Sequence, residues 1–117
     1  MKMKTRALVT TAAVALFAGA FCGSAAAADA THLWDMNCAA CHGKDGKGNT
    51  LMGHRLHIKD LTDAKVQAAL TDDQATKDIK EGITENGRPV MKAFGDKLSD
   101  GQIKDLVARV RTFKPAK

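Results

Sequence analysis

The stretch Cys38–Gly48, CAACHGKDGKG, places two cysteines and a histidine within five residues and follows them with a glycine-rich turn. Three chemistries use such a cluster: a redox dithiol, half of a zinc site, or a covalent attachment point for haem. The rest of the chain decides between them.

A structural zinc site takes four ligands, usually as two separated pairs. Cys38 and Cys41 make one pair, and no second CxxC exists; His54 and His57 have a compatible spacing and make Cys2His2 an arithmetical possibility. A redox dithiol sits at a strand-to-helix junction of an α/β fold, and no stretch here alternates at strand period. C-x-x-C-H is also the signature of c-type haem attachment. Its spacing has a physical reason. The two thiols add to the two haem vinyl groups, and the thioethers fix one edge. The adjacent histidine, on the same helical turn, is swung under the iron as proximal ligand. The motif therefore reads as Cys38 and Cys41 for attachment of one haem c and His42 for the metal.

The 117 residues allow one small domain, and the first part of the chain is not in it. Lys2, Lys4 and Arg6 precede an apolar run from Ala7 to Phe21, and Ala26–Ala28 offers a small-residue cleavage site. This is the pattern of a secretory signal peptide over 1–28. Cys22 follows Phe21, where a lipoprotein signal needs a small residue, so it is expected to leave with the leader. The domain is then 29–117, exported to the periplasm with no stable membrane insertion after cleavage behind Ala28. The leader removes three basic residues and no acidic ones, leaving fifteen against thirteen, a net of +2. No basic patch is interleaved with aromatics, so nucleic acid is not an expected partner.

So small a domain has a marginal core and needs a staple. The remaining aromatics are Trp34, Phe94 and Phe113, and the remaining cysteines both lie in the motif, where a disulfide would close only a very small ring. A large apolar cofactor supplies what the side chains lack. Periodicity predicts an all-α domain of four short helices: Thr31–Asn37, Asp63–Leu70, one from Thr71 to a stop at Gly82, and one opened by Ser99. Thr71 with Gln74 and Ser99 with Gln102 read as capping boxes. Ile103, Leu106, Val107 and Val110 form one apolar stripe. Residues 43–53 and 84–97 read as loops, because glycines, Asn86-Gly87 and Pro89 punctuate them.

A sixth iron ligand comes from methionine or histidine. Met36 lies in the motif's own helix and Met52 follows too closely, whereas Met91 is far enough along the chain to reach the opposite face. His54 and His57 read as solvated loop residues. Arg88, whose guanidinium matches carboxylate geometry, and Asn49 are candidates for the haem propionates. Leu51, Leu61, Ile79, Val90, Phe94, Leu98 and Val107 are candidate pocket lining, and each could equally be ordinary core. Lys44, Lys47, Lys92 and Lys97 flank the loops expected to frame the haem and could steer an acidic redox partner.

With those residues in place, the chain resembles a class I monohaem bacterial cytochrome c of the c5/c6/c551 kind. The resemblance rests on CAACHGKDGKG (38–48), MKAFGDKLSD (91–100) and QIKDLVARVRTF (102–113). It implies the cytochrome c fold, helices wrapped around one covalently bound haem, with Met91 as the distal ligand. It also implies crossing terminal helices that pack through Ala30, Trp34 and Leu106. The implied function is electron transfer without enzymatic activity, by a monomer that serves other redox proteins of a periplasmic respiratory chain. The alternative is a haem enzyme or gas sensor with an open sixth position. Three residues depart from the family pattern. Lys92 replaces a proline after the ligand, Arg109 replaces an aromatic of the last helix, and GHRLHIKDLT (53–62) lacks the proline beside the proximal histidine.

Overall fold

Ser99 opens the last helix by accepting from Gln102 N, and the Gln102 side chain accepts in return from Ser99 N, so the capping box is complete. The structure is a computed structural model that describes residues 23–114. The basic start of the leader, its apolar run, Cys22 and Pro115 lie outside the described residues. In chain order the elements are α1 (Gly23–Asn37), α2 (Ala39–His42), α3 (Leu51–Arg55), α4 (Ala64–Ala69), α5 (Asp72–Glu81), β1 (Ile83–Glu85), β2 (Arg88–Met91) and α6 (Asp100–Thr112).

The helical class is as the periodicity requires, but six helices form among the described residues where four are expected. Within the glycine-rich stretch Thr50 caps a further short helix, α3: its hydroxyl accepts from Gly53 N at 2.8 Å. α1 begins well before Thr31 because the alanines ahead of it favour helix and nothing stops it. It runs unbroken through the expected cleavage point behind Ala28. Residues 25–29 are exposed, and Ala30 is the first buried side chain. At α5, Thr71 caps Gln74 N, but the Gln74 amide turns to Asp78, so only half of that box forms.

The second correction is the hairpin. Asn86 (φ 51°) and Gly87 (φ 74°) both occupy the left-handed region, as a two-residue type I′ connection demands. β1 and β2 pair antiparallel, with Glu85 opposite Arg88 and Thr84 opposite Pro89. A one-residue bulge then brings Met91, not Val90, opposite Ile83. Met91 therefore ends a strand and does not lie in an irregular loop. Gly82 sits under this strand at φ 75°, and a Cβ there would lie 2.6 Å from Met91 O.

The core is centred on α6. Ile103, Leu106, Val107 and Val110 are buried with Trp34 of α1 and Ala75 and Ile79 of α5. Ala30 and Trp34 do share the buried face of α1. The far end of α6 is tied down by Arg111. Its Nε donates to Asp72 Oδ1 at 2.7 Å, and Nη1 donates to Gln67 O at 2.8 Å. Nη2 donates to Leu70 O, so one guanidinium satisfies the backbone where α4 gives way to α5. The Gln67 amide in turn donates to Leu61 O and Val110 O.

Arg111→Ala removes a charge-assisted pair and strands two partly buried carbonyls. It is expected to cost about 2–3 kcal/mol, read as a lower urea midpoint of the holoprotein with an unchanged slope. Arg111→Lys, which keeps the charge but not the fork, is expected to recover less than half of that.

Candidate cofactor-attachment site

α2 is one helical turn, opened by Cys38 and closed at Gly43. Cys41 N and His42 N both bond to Cys38 O, at 3.1 and 2.9 Å. Cys38, Cys41 and His42 therefore ride on a single closed turn. Cys38 is buried and Cys41 half-buried, and both thiols are free. Burial first, and the neighbouring Cys41 second, push the Cys38 thiol up to about 11. A redox dithiol needs the opposite shift, a thiolate favoured at neutral pH. Cys38 is a protonated, shielded thiol, which disfavours the dithiol reading.

Trp34 positions the turn from α1. Its Nε1 donates to Gly43 O at 2.9 Å, and its ring meets the His42 ring at 5.6 Å between centroids, tilted by 47°. Burial lowers the His42 pKa, so the imidazole is neutral, the form a metal requires. Its Nδ1 is buried with no hydrogen-bond partner among the described residues. A ligating imidazole binds metal through one nitrogen and donates from the other. A neutral, half-buried ring held by its neighbours fits that role.

The loop behind the motif is built on close approaches. Gly48 N donates to His42 O at 2.7 Å, and Leu61 N to Gly46 O at 2.9 Å. Thr50 Oγ1 donates to Cys41 O at 2.7 Å, which docks α3 on the motif. A Cβ at Gly53 would lie 2.0 Å from Gly48 O, so only glycine fits. Gly46 (φ 74°) lies flat under Phe113, where a Cβ would come within 2.7 Å of the ring. Phe113 also packs on Trp34 at 4.8 Å between centroids, and Arg109 lies over the outer face of Phe113 at 4.8 Å. The aromatic that Arg109 replaces in the family pattern is thus supplied elsewhere. Phe113, one turn later, takes that place, and Arg109 covers Phe113.

The other candidate residues are placed as follows. Met91 is half-buried at the end of β2 and packs on the cluster that contains Cys38. Phe94 N and Gly95 N donate to Ile79 O and Lys80 O, which anchors the segment behind Met91 to the end of α5. Arg88 is exposed beside the hairpin turn. Asn49 is exposed and lies 2.7 Å from His54 Nε2 through its Oδ1, an atom that can only accept. His54 belongs to α3 rather than to a loop, and it and His57 are exposed. Among the described residues no three His, Cys, Asp or Glu side chains gather in a group able to hold a metal ion, so His54 and His57 do not complete a zinc site with the cysteines. Leu61 and Ile79 are buried and Val90 and Phe94 half-buried, but Leu51, expected as pocket lining, is 77% exposed. What sequence reasoning missed here is Phe113 and the α3 cap; the Thr50-to-Gly53 spacing was the available signal for the second.

Comparison with known proteins agrees with this geometry. The family model described as cytochrome C oxidase, cbb3-type, subunit III matches residues 25–108. The chain is 39% identical over 88 residues to the cbb3-type cytochrome c oxidase subunit FixP of Azorhizobium caulinodans, covering 75% of this chain and 27% of that protein. It is 35% identical over 74 residues to cytochrome c6 of Bumilleriopsis filiformis, covering 63% of this chain and 76% of that one. Among solved structures, the KustC0563 c-type cytochrome superposes with a TM-score of 0.66 at 34% identity, covering 74% of this chain and 99% of that chain. The chain belongs to the family of small monohaem class I c-type cytochromes, whose cofactor is covalently attached haem c. It spans only about a quarter of the length of the oxidase subunits it matches, 27% and 29%.

Gly46→Ala forces a left-handed backbone on alanine and drives Phe113 off Trp34. A loss of about 2–3 kcal/mol is expected, checked by thermal unfolding followed in the near-ultraviolet signal of Trp34. Phe113→Leu, which clears the space, is expected to soften the penalty of Gly46→Ala when the two are combined.

Proposed function

We propose that this chain is an exported one-electron carrier, with haem c bound through Cys38 and Cys41 and ligated by His42 and Met91. The observation that carries the reading is the single turn Cys38–His42. It presents two unpaired thiols beside a neutral, half-buried imidazole, while Met91 is anchored against the same core. When bound, haem c supplies a one-electron Fe(III)/Fe(II) couple, and a thioether ligand with an apolar surround favours the reduced form. The side chains described here hold and orient the group and exclude water from it. None is placed as an acid, base or nucleophile. The resemblance to cbb3-oxidase subunits and to cytochromes c6 supports redox proteins of a respiratory chain as partners and the periplasm as location; a monomer as the working unit is part of the same proposal. The leader over 1–28 with cleavage behind Ala28 belongs to the same proposal. Among the described residues no helix is long and apolar enough to cross a membrane. Arg88 remains the candidate for a haem propionate. Asn49 is the weaker one, since its Oδ1 is already engaged by His54. No particular observation favours the open-iron alternative.

Met91→Ala tests the ligand set. The oxidised variant is expected to lose the weak near-infrared sulfur-to-iron band, and the reduced variant to bind carbon monoxide rapidly. Its reduction potential is expected to fall by roughly 0.1 V or more, within the span of about 0.8 V over which axial ligands tune haem. Persistence of the band in the variant would overturn the assignment.

A further inference from the structure

Met91 is the last paired residue of β2, opposite Ile83, and the chain beyond it has no fixed torsion of its own. The next residue is Lys92, where a proline would have set φ. Lys92 and Ala93 are exposed, so packing does not hold them either. The hold comes from the C-terminal end of α5. A helix leaves its last four carbonyls without partners of its own, and in α5 these belong to residues 78–81. Asp78 O accepts from the capping Gly82 N at 2.9 Å. Ile79 O accepts from Phe94 N at 2.9 Å, and Lys80 O from Gly95 N at 3.0 Å. Two of those carbonyls are therefore satisfied by the segment that follows Met91.

Two glycines allow so close an approach. A Cβ at Gly82 would lie 2.6 Å from Met91 O, 2.8 Å from Ala93 N and 3.0 Å from the Lys92 carbonyl carbon. All three are backbone atoms of the segment that carries the thioether, so none can swing aside as a side-chain tip would. A Cβ at Gly95 would lie 2.9 Å from Lys80 O, the acceptor of the hydrogen bond that Gly95 N makes. The far end of the segment is fixed as well. Lys97 N and Leu98 N both donate to Phe94 O, at 3.0 and 2.8 Å, and Leu98 is buried. Lys80 carries the tie onward, since its Nζ donates to Asp100 Oδ1 at 2.7 Å in the first turn of α6.

From this we infer that Gly82 and Gly95, with the carbonyls of Ile79 and Lys80, form a clamp that positions the Met91 thioether for the iron. The two glycines are positioning residues that act through the backbone of Met91. A ligand held in place loses less freedom on binding than one on a loose segment, so the clamp keeps the methionine-bound state populated. The inference rests on the reading of Met91 as iron ligand and names what holds it there. Backbone strain alone makes a rival account, because alanine is disfavoured at the φ of 75° that Gly82 adopts. Gly87 separates the two. It lies in the turn of the same hairpin at φ 74°, and a Cβ there meets nothing within 4 Å. Gly87→Ala carries the same torsional penalty without the contact.

The test uses the holoprotein as wild type, Gly82→Ala, Gly95→Ala and Gly87→Ala, each checked for folding by the near-ultraviolet signal of Trp34. In the oxidised state the weak near-infrared sulfur-to-iron band is expected to be lost in Gly82→Ala, weakened in Gly95→Ala and unchanged in Gly87→Ala. In the reduced state carbon monoxide enters only molecules whose Met91 has left the iron. It is expected to bind Gly82→Ala about tenfold or more faster than wild type, and Gly87→Ala within about twofold of wild type. The reduction potential is expected to fall in Gly82→Ala and to hold in Gly87→Ala. A full band with wild-type carbon monoxide kinetics in folded Gly82→Ala overturns the clamp, and so do equal effects in Gly82→Ala and Gly87→Ala. If Gly82→Ala does not fold, Gly95→Ala against Gly87→Ala decides by the same two readouts. Absence of the band from wild type, or its persistence in Met91→Ala, marks instead the failure of the ligand reading, and the clamp falls with it.

Discussion

The indole of Trp34 is the contact on which the arrangement depends. Its nitrogen donates to Gly43 O, and its ring meets both His42 and Phe113. Three separate parts of the chain, α1, the motif turn and the end of α6, are thereby registered on one rigid group. A ring that size buries more apolar area than any other single residue here and loses few rotamers in doing so. The polar handle fixes its orientation, so the histidine it touches inherits that orientation.

Much of this was legible. Capping residues and Gly82 mark the helix ends, and the stripe on α6 is buried as its period requires. The attachment motif identifies itself by spacing. The hairpin was less visible because strands of three and four residues carry no measurable alternation. Asn86-Gly87 was nevertheless a specific signal, since both residues tolerate positive φ. Proline at position 89 also argued against a strand, and it is accommodated because an edge position needs no donor there. The bulge that puts Met91 opposite Ile83 lies at the end of the hairpin away from the turn and has no signature of its own.

Other features could not be read from one chain in one dimension. Arg109 and Phe113 are both plausible partners for Trp34, four residues apart on the same helix face. Which one arrives is set by where α6 crosses α1, a tertiary quantity. The Arg111 fork is similar. Nothing in the sequence near Gln67 or Leu70 announces that their carbonyls will need a donor from the far end of the chain. Conversely, Leu51, expected to line the pocket, stands outward on α3, which is fastened through its cap and its hydrogen bond to the motif.

Phe113 closing over Gly46 and Trp34 also orders events in time. The chain is made from its first residue to its last, and the ring that completes the Trp34 sandwich comes at the very end of the described chain. Until it emerges, the loop after the motif lacks its lid at Gly46, although α1 and α3 already brace the turn that carries the two thiols.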